Sequence, residues 1–255
     1  MKSPLRQQQN SRAAAAIKQI LPEGSVVDSF LLFDGAIELS LAQSNRFICA
    51  HTCKYVVYEF WDCALKNPSI IAQFFASKPF SSLFNKITFH ILQENWPMYR
   101  DPYVRSALFF LLNRCSTTGA LSSGDFTLTH LSAPAIVTLK NFKAQNFYPV
   151  WDETNGLLDS LKGTHQGEYL LLPLGMFTYD FFGEGISRGH EETRVPHSRV
   201  KTTLDTIAKK WIVVYRCHPQ VFKLYKDYNI RMINKYGNLV NNPEQCEEVI
   251  VTNFK

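Results

Sequence analysis

Two cysteines and a histidine alternate in one short stretch of the chain, at Cys49, His51 and Cys53. Thiolate and imidazole are common ligands of zinc, but a structural zinc site takes four ligands, and no second Cys or His cluster follows at zinc-finger distance. The remaining cysteines also lack Cys-x-x-Cys spacing: they are Cys63, Cys115, Cys217 and Cys246. The sequence therefore predicts reduced, mostly buried thiols and no metal site.

The elements that surround this stretch alternate between strand and helix near both ends of the chain. Apolar, β-rich runs predict buried strands at 26–33, 47–50, 211–215 and 247–252. Helix-forming runs accompany them at 13–21, 36–42, 56–65, 202–210 and 220–227. This alternation is typical of an α/β fold with parallel strands.

The middle of the chain has a different pattern. Residues 69–131 are rich in Phe, helical in character and without alternating strands. We therefore predict a Rossmann-like core with a mixed, mostly parallel sheet over 13–68 and 145–255, and a helical insertion over 69–144. Residues 1–12 are polar and predict a flexible arm.

The composition is that of an ordinary globular protein. The chain has 255 residues, 45% of them hydrophobic and 19% charged, which is enough to bury a large core. Its apolar runs are far shorter than the roughly 20 residues that cross a bilayer, and residues 1–12 carry no signal-peptide core. We expect a cytoplasmic protein without a membrane partner.

Four blocks of sequence carry a family resemblance through their order and spacing. The most specific is a helix-forming run over 101–114 that ends in Leu-Asn-Arg, followed by Gly-Asp-Phe-Thr at 124–127. The other blocks cover 17–39, 167–172, and 211–215 with 228–230 and 247–253. Together they resemble Dam-like methyltransferases, which modify the amino group of adenine in DNA. The resemblance implies a methyltransferase core, S-adenosylmethionine as cofactor, and an insertion that helps to read DNA.

The catalytic motif of that family is degenerate in this chain. Its Asp-Pro-Pro-Tyr aligns with Pro173, Leu174, Gly175 and Met176, which supply neither the acid nor the aromatic ring. A flipped adenine would then bury its amino group against apolar atoms, at a cost of roughly 1–3 kcal/mol. Just downstream, Tyr179 and Asp180, followed by Phe181 and Phe182, could supply a displaced acid and a stacking ring. A loop that packs on the sheet is the interpretation we favour there.

The cofactor positions implied by the resemblance have changed as well. They are Asp28 in the first strand, then Phe33, Asp34 and Gly35 in the glycine-rich loop, and His51 where the family has a ribose-binding acid. Phe33 and Asp34 replace glycines that let a ligand approach the backbone, so they predict a filled pocket. A neutral imidazole offers one acceptor instead of a carboxylate. The family's Gly-x-Lys segment aligns with residues 8–10 and is absent. We therefore expect no cofactor, or S-adenosylmethionine if the protein is active.

The DNA-facing positions of the family are kept only in part. Asn113 and Arg114 remain, while Thr118 stands where the family has an asparagine. Contact with DNA and anchoring of the following loop are equally good interpretations of this pair. The net charge of +5 suits a nucleic-acid partner. Basic residues collect near the carboxyl end, on a phosphate-facing surface or a solvated helix face: Lys201, Lys209, Lys210, Lys223, Lys226 and Arg231.

Three hypotheses about function follow. The first is a non-catalytic descendant of an adenine-specific DNA methyltransferase that acts as a binding or structural subunit, with DNA or another protein subunit as its partner. The second is a divergent, active methyltransferase that uses Asp180. The third is a structural protein of a larger assembly, for which Phe74, Phe75 and Phe80 are candidate surface residues.

Overall fold

The computed structural model describes residues 2–6, 12–75, 84–121, 124–175 and 195–255. Its helices are α1 (Ala13–Ile20), α2 (Ala36–Ala42), α3 (Tyr55–Lys66), α4 (Pro68–Gln73), α5 (Lys86–Asn95), α6 (Pro102–Cys115), α7 (Ala133–Lys140), α8 (Leu157–Lys162), α9 (His197–Asp205) and α10 (Pro219–Leu224). Its strands are β1 (Val26–Ser29), β2 (Phe47–Thr52), β3 (Phe147–Trp151), β4 (Tyr169–Gly175), β5 (Lys210–Arg216), β6 (Asn229–Ile233), β7 (Leu239–Val240) and β8 (Glu248–Thr252).

The strands described here form one mixed sheet in the order β3-β2-β1-β4-β5-β8-β6-β7. Strands β1 to β5 pair in parallel, and β8 is antiparallel to both β5 and β6. The chain winds outward from β1 in two directions, so the strand order reverses between β1 and β4. This arrangement confirms the predicted α/β, Rossmann-like core with a mostly parallel sheet. In such sheets ligands bind at the carboxyl ends of the strands where the order reverses.

Hydrophobic clusters cover both faces of the sheet because alternate residues of each strand point to opposite sides. In β4, Leu171 belongs to one cluster, while Leu170 and Leu172 belong to the other. The first cluster includes residues of α1, α2, α3 and α6, and the second includes residues of α8, α9 and α10. Aromatic stacking ties α3 to α6, with the rings of Phe60 and Phe109 4.9 Å apart.

The first residues are packed, contrary to the flexible arm expected over 1–12. Leu5 is buried in the first cluster, and the backbone N–H of Arg6 donates to Asn113 Oδ1 at 2.6 Å. The Arg114 guanidinium donates to the carbonyl of Pro4 at 2.9 Å from Nε. Residues 2–6 are therefore held against the end of α6. Residues 7–11, and with them the predicted Gly-x-Lys position, lie outside the described ranges.

Between β2 and β3 the described residues form helices α3 to α7. Helix α3 is the one predicted at 56–65 as part of the core, and α4 to α7 occupy the region predicted as a helical insertion, 69–144. Pro102 begins α6 at its first turn, and the Asp101 carboxylate accepts backbone N–H groups of that turn at 2.9 Å. Within the described ranges, no helix is both long and apolar enough to span a membrane.

Candidate functional site

The reversal point of the sheet divides into two regions at the carboxyl ends of the strands. One is the loop between β1 and α2, residues 30–35. The other is a crevice above the ends of β1, β2 and β3, bordered by α8 and the start of α9. We call them the β1 loop and the β2–β3 crevice.

In the β1 loop, the side chain of Phe33 packs into the interior of the protein and leaves no open space there. Its side chain is 5% exposed and belongs to the first hydrophobic cluster. The ring lies 5.9 Å from that of Phe109, and the Trp61 indole N–H donates to the Phe33 carbonyl at 2.9 Å. The Phe33 side chain thus packs into the core.

Asp34 and Gly35 complete the same turn. Asp34 is 3% exposed, and its Oδ1 accepts the backbone N–H of Ala36 at 2.9 Å, which satisfies a donor at the start of α2. The Ser3 hydroxyl donates to the Asp34 carbonyl. Gly35 has a φ of +66°, and a Cβ there would lie 2.8 Å from the Trp61 ring. This glycine is required by packing inside the protein.

A buried carboxylate lies near the loop. Glu38, in the first turn of α2, is 3% exposed and accepts a hydrogen bond from the Ser29 hydroxyl at 2.8 Å. Burial raises the pKa of Glu38 to about 7, and the nearby Asp34 contributes to the rise. The β1 loop and its surroundings therefore satisfy their polar groups internally.

Four side chains form a hydrogen-bonded chain in the β2–β3 crevice: Asp28, His51, Asp152 and Ser160. His51 Nδ1 lies 2.9 Å from Asp152 Oδ1, and His51 Nε2 lies 3.2 Å from Asp28 Oδ1. The Ser160 hydroxyl donates to the other oxygen of Asp152, and the Gly167 N–H donates to Asp28 Oδ2 at 2.7 Å. Both nitrogens of His51 are therefore engaged by carboxylates.

The charges in this chain stabilise one another. Burial alone would lower the pKa of His51, but the hydrogen bonds to Asp152 and Asp28 outweigh burial and raise this pKa to about 9. Burial alone would raise the pKa values of both aspartates, and the hydrogen bonds from His51 lower them instead. At neutral pH the group is an imidazolium held between two carboxylates.

Aromatic packing fixes the His51 ring further. It stacks on Phe30 with centroids 5.0 Å apart and an interplanar angle of 19°. His165 packs edge-on against both rings, at 4.9 Å from Phe30 and 5.6 Å from His51. Among the described residues, both His165 nitrogens are buried without a hydrogen-bond partner. The ring of His51 is thus held on its face and at both nitrogens.

Above this chain the crevice contains a cavity of about 530 Å³. This is a size typical of small-molecule sites. It is bounded by His51, Thr52 and Asp152 at the strand ends, by residues 156–160 at the start of α8, and by Arg199 of α9. Leu31, at the border between the two regions, has a φ of +64°, an uncommon conformation for a branched side chain.

The end of β4 carries no catalytic group in the described residues. Leu174 is fully buried in the second cluster, and Pro173 is buried within the strand. The pairing with β5 shifts register between Pro173 and Gly175, and Gly175 has a φ of +64°. Met176, Tyr179, Asp180, Phe181 and Phe182 lie outside the described ranges, as does Phe80.

The three residues predicted to face DNA make contacts within the protein. Asn113 is fully buried, accepts from Arg6, and donates to the Gly119 carbonyl at 2.8 Å. Arg114 donates to Pro4, and Thr118 Oγ1 lies 3.0 Å from the Ser116 hydroxyl. Of the two interpretations of Asn113 and Arg114, anchoring of the neighbouring segments accounts for these hydrogen bonds.

Part of the basic group near the carboxyl end also has partners within the protein. Lys201 pairs with Asp205 at 2.6 Å, and Lys209 donates to the carbonyl of Gly167 at 2.7 Å. The Lys210 ammonium lies 5.4 Å from the centre of the Tyr169 ring. These contacts weaken the case for one continuous phosphate-binding surface.

The residues present do not fit S-adenosylmethionine in the way the family resemblance implies. The methionine part would meet Phe33 and Asp34, which are packed into the protein. The ribose would meet His51, whose two nitrogens are already bound to Asp28 and Asp152. Nor do the described residues contain a group of three or more His, Cys, Asp or Glu side chains that could hold a metal.

Comparison with known proteins gives no family for this chain: no family model matches, and no curated protein matches. The sequence indicated Asp28 and His51 but not Asp152 and His165, which contact His51, nor Ser160, which donates to Asp152. The available signal was weak, namely an acid directly after the short apolar run at 147–151.

Proposed function

We propose that this protein is a catalytically degenerate relative of adenine-specific DNA methyltransferases that acts as a binding or structural subunit. The observation that carries the proposal is the packing of the β1 loop. Phe33 is buried against Phe109 and hydrogen-bonded through its carbonyl to Trp61, where an active enzyme would need space for its methyl donor. Because Rossmann-like folds serve many functions, the fold does not by itself imply methyl transfer, and the packed β1 loop supports a protein without that activity.

The crevice supports the same proposal. A ribose-binding carboxylate must have an oxygen available to the ligand, whereas His51 uses both nitrogens within the protein. If His51 moved away to bind a ligand, the buried carboxylate of Asp28 would lose its positively charged partner. An unpaired charge in a buried position is costly. The His51 chain therefore acts as a structural support beneath the cavity.

The exposed apolar side chains favour a protein, and not DNA, as the binding partner. Ile87 and Ile91 lie one helical turn apart on α5 and are 72% and 54% exposed, and Met98 just beyond them is 77% exposed. Apolar side chains grouped on a surface mark contact sites more often than phosphate-binding sites. The basic residues near the carboxyl end are partly engaged within the protein, as described above.

Two assays test the proposal. Purified protein incubated with adenine-containing duplex DNA and S-adenosylmethionine should incorporate no methyl groups. In fluorescence anisotropy with the same duplex, binding should be weak and lost as salt increases, as expected for nonspecific contacts alone. Robust, enzyme-dependent methylation of DNA would contradict the proposal.

The alternative is a divergent, active methyltransferase, and the cavity above His51 is the observation that favours it. In that case Asp180 supplies the acceptor for the adenine amino group. Any methylation found should then disappear in Asp180→Ala and persist in Asp227→Ala, an exposed acid on the segment after α10. Undiminished transfer by Asp180→Ala would exclude this mechanism.

A further inference from the structure

Two cysteines meet where β5 ends and β8 begins. Cys217 directly follows β5, and Cys246 lies two residues before β8. The strands are antiparallel neighbours, with Arg216 opposite Glu248. Beyond this pair, the N–H of Cys217 donates to the Glu247 carbonyl at 2.9 Å. The two cysteines are therefore held close together by the ladder, although 28 residues separate them along the chain.

An irregularity at Glu247 brings the two thiols to the same side. In a regular ladder, Cys217 would lie opposite Glu247, and Cys246 would point to the other face of the sheet. Here the Glu247 carbonyl bonds to Cys217, while its N–H bonds to the Ile233 carbonyl on the other neighbouring strand at 2.8 Å. The alternation is broken at this residue. Both cysteines pack against the second hydrophobic cluster.

The two side chains lie on the same side of the sheet, packed against the second hydrophobic cluster, and Cys246 Sγ is 3.3 Å from the Glu248 carbonyl. Burial, together with the neighbouring Cys217 thiol, raises the pKa of Cys246. Both residues are partly exposed, so small reagents can reach them. Two neighbouring, partly accessible thiols are the arrangement from which a disulfide forms.

We propose that Cys217 and Cys246 are a redox pair that closes to an intramolecular disulfide when a hydroperoxide is present. One sulfur of the pair attacks one oxygen of the peroxide, the O–O bond breaks, and the other oxygen leaves as an alcohol, or as water from hydrogen peroxide. The second sulfur then displaces hydroxide from the resulting sulfenic acid, and this hydroxide leaves as water with the thiol proton. The two thiols lose two hydrogen atoms in total, and the peroxide is reduced.

Burial raises the pKa of Cys246, so little of this thiol is ionised at neutral pH. The closed bond would tie the end of β5 to the start of β8 and enclose residues 218–245, which contain α10, β6 and β7.

The test uses the full chain, reduced and freed of reductant, and then exposed to an equimolar amount of hydrogen peroxide. Free thiols are blocked in acid, and the linkage is mapped by mass spectrometry without reduction. The expected product has lost two hydrogen atoms and contains one bond, between Cys217 and Cys246. Cys217→Ser and Cys246→Ser should not form it, whereas the matched variants Cys49→Ser and Cys53→Ser, at two other partly exposed thiols, should form it as the wild type does.

Thermal unfolding supplies a second readout. The disulfide closes a long loop, so the oxidised protein should melt roughly 5 °C higher than the reduced one, and dithiothreitol should reverse the shift. A native protein that forms other pairs, or that keeps both thiols reduced while the unfolded chain oxidises, would overturn the proposal. A lower melting temperature of the linked protein would do so too, because it would mean that the native fold does not accommodate the bond.

Discussion

The β1 loop and the β2–β3 crevice lie at the same edge of the sheet, but the loop is packed and the crevice is open. The loop is filled by Phe33 and Asp34, which are 5% and 3% exposed. The crevice holds a cavity of about 530 Å³ above His51. The β1 loop is thus part of the core, while the β2–β3 crevice is open.

The difference lies in how each region satisfies its polar groups. In the loop, hydrogen bonds from Ser3, Ala36 and Trp61 to the chain itself leave no role for a ligand. In the crevice, His51 neutralises Asp28 and Asp152, and the cavity lies above this balanced group. At this edge of the sheet, packing therefore fills one region and leaves the other open.

The largest expected effect is in the charged chain of the crevice. Asp28→Ala removes one partner of the His51 imidazolium and leaves the Gly167 N–H unpaired. Breaking a buried ion pair in this way should cost about 3–5 kcal/mol in the free energy of unfolding, measured with urea. The control is Asp159→Ala, at an exposed acid on the cavity rim. Equal stability of the two variants would mean that the chain is not structural.

Next is a direct comparison of the two regions by truncation. Phe33→Ala should cost about 3–4 kcal/mol, because it leaves a cavity in the core. Leu157→Ala, at a partly exposed residue that lines the crevice, should cost about 1 kcal/mol or less. Urea unfolding of both variants measures these two losses in the free energy of unfolding. If Phe33→Ala were as mild as Leu157→Ala, the loop would not be part of the core.

The pH dependence of stability provides a third test, at Glu38. Its pKa in the folded protein is about 7, above the value of 4.5 for the unfolded chain, so its contribution is complete below about pH 4.5 and is lost as pH rises through 7. Glu38→Gln should remove this loss. The variant should gain up to roughly 3 kcal/mol over the wild type near pH 8 and almost nothing near pH 4.5.

Thermal melts at the two pH values measure this gain. Glu23→Gln, at an exposed acid before β1, serves as the matched control and should show no such difference. A Glu38→Gln variant with the same melting temperature relative to wild type at both pH values would show that this carboxyl is not held neutral by burial.

The smallest effect is expected at Arg199. This exposed residue borders the cavity at the start of α9. Because it borders open space and not a packed core, Arg199→Ala should change the free energy of unfolding by less than about 0.5 kcal/mol. A loss of several kcal/mol in urea unfolding would mean that the crevice is as tightly integrated as the loop.

The sequence predicted the sheet where its strands are apolar and buried. The runs at 26–33 and 47–50 correspond to β1 and β2, and those at 211–215 and 247–252 to β5 and β8. Strand β3 was not located, because it is an edge strand that contains Pro149 and is exposed or only partly buried at every residue after Phe147. The apolar pattern did not locate β6 and β7 either: both are only partly buried, β7 is the opposite edge strand, and β6 lies between β7 and β8.

Contacts between distant parts of the chain explain what the sequence could not show at the site. His51 was identified, but its partner Asp152 is 101 residues away, and no local pattern links them. Likewise, residues 1–12 were predicted to be a flexible arm from their polar composition. Residues 2–6 are instead held by Asn113 and Arg114, more than 100 residues later, and no local pattern indicates these contacts. Local patterns predict elements well, whereas hydrogen bonds across the fold decide whether a pocket is open or filled.

Titration calorimetry with S-adenosylmethionine and its demethylated product tests the central claim most directly. If the β1 loop is occupied by Phe33 and Asp34, no saturable heat should appear at millimolar ligand, and the melting temperature should stay unchanged. Saturable binding would contradict the claim. At 100-fold excess over the dissociation constant, it would add about 2.7 kcal/mol to the free energy of unfolding, and the melting temperature would rise accordingly.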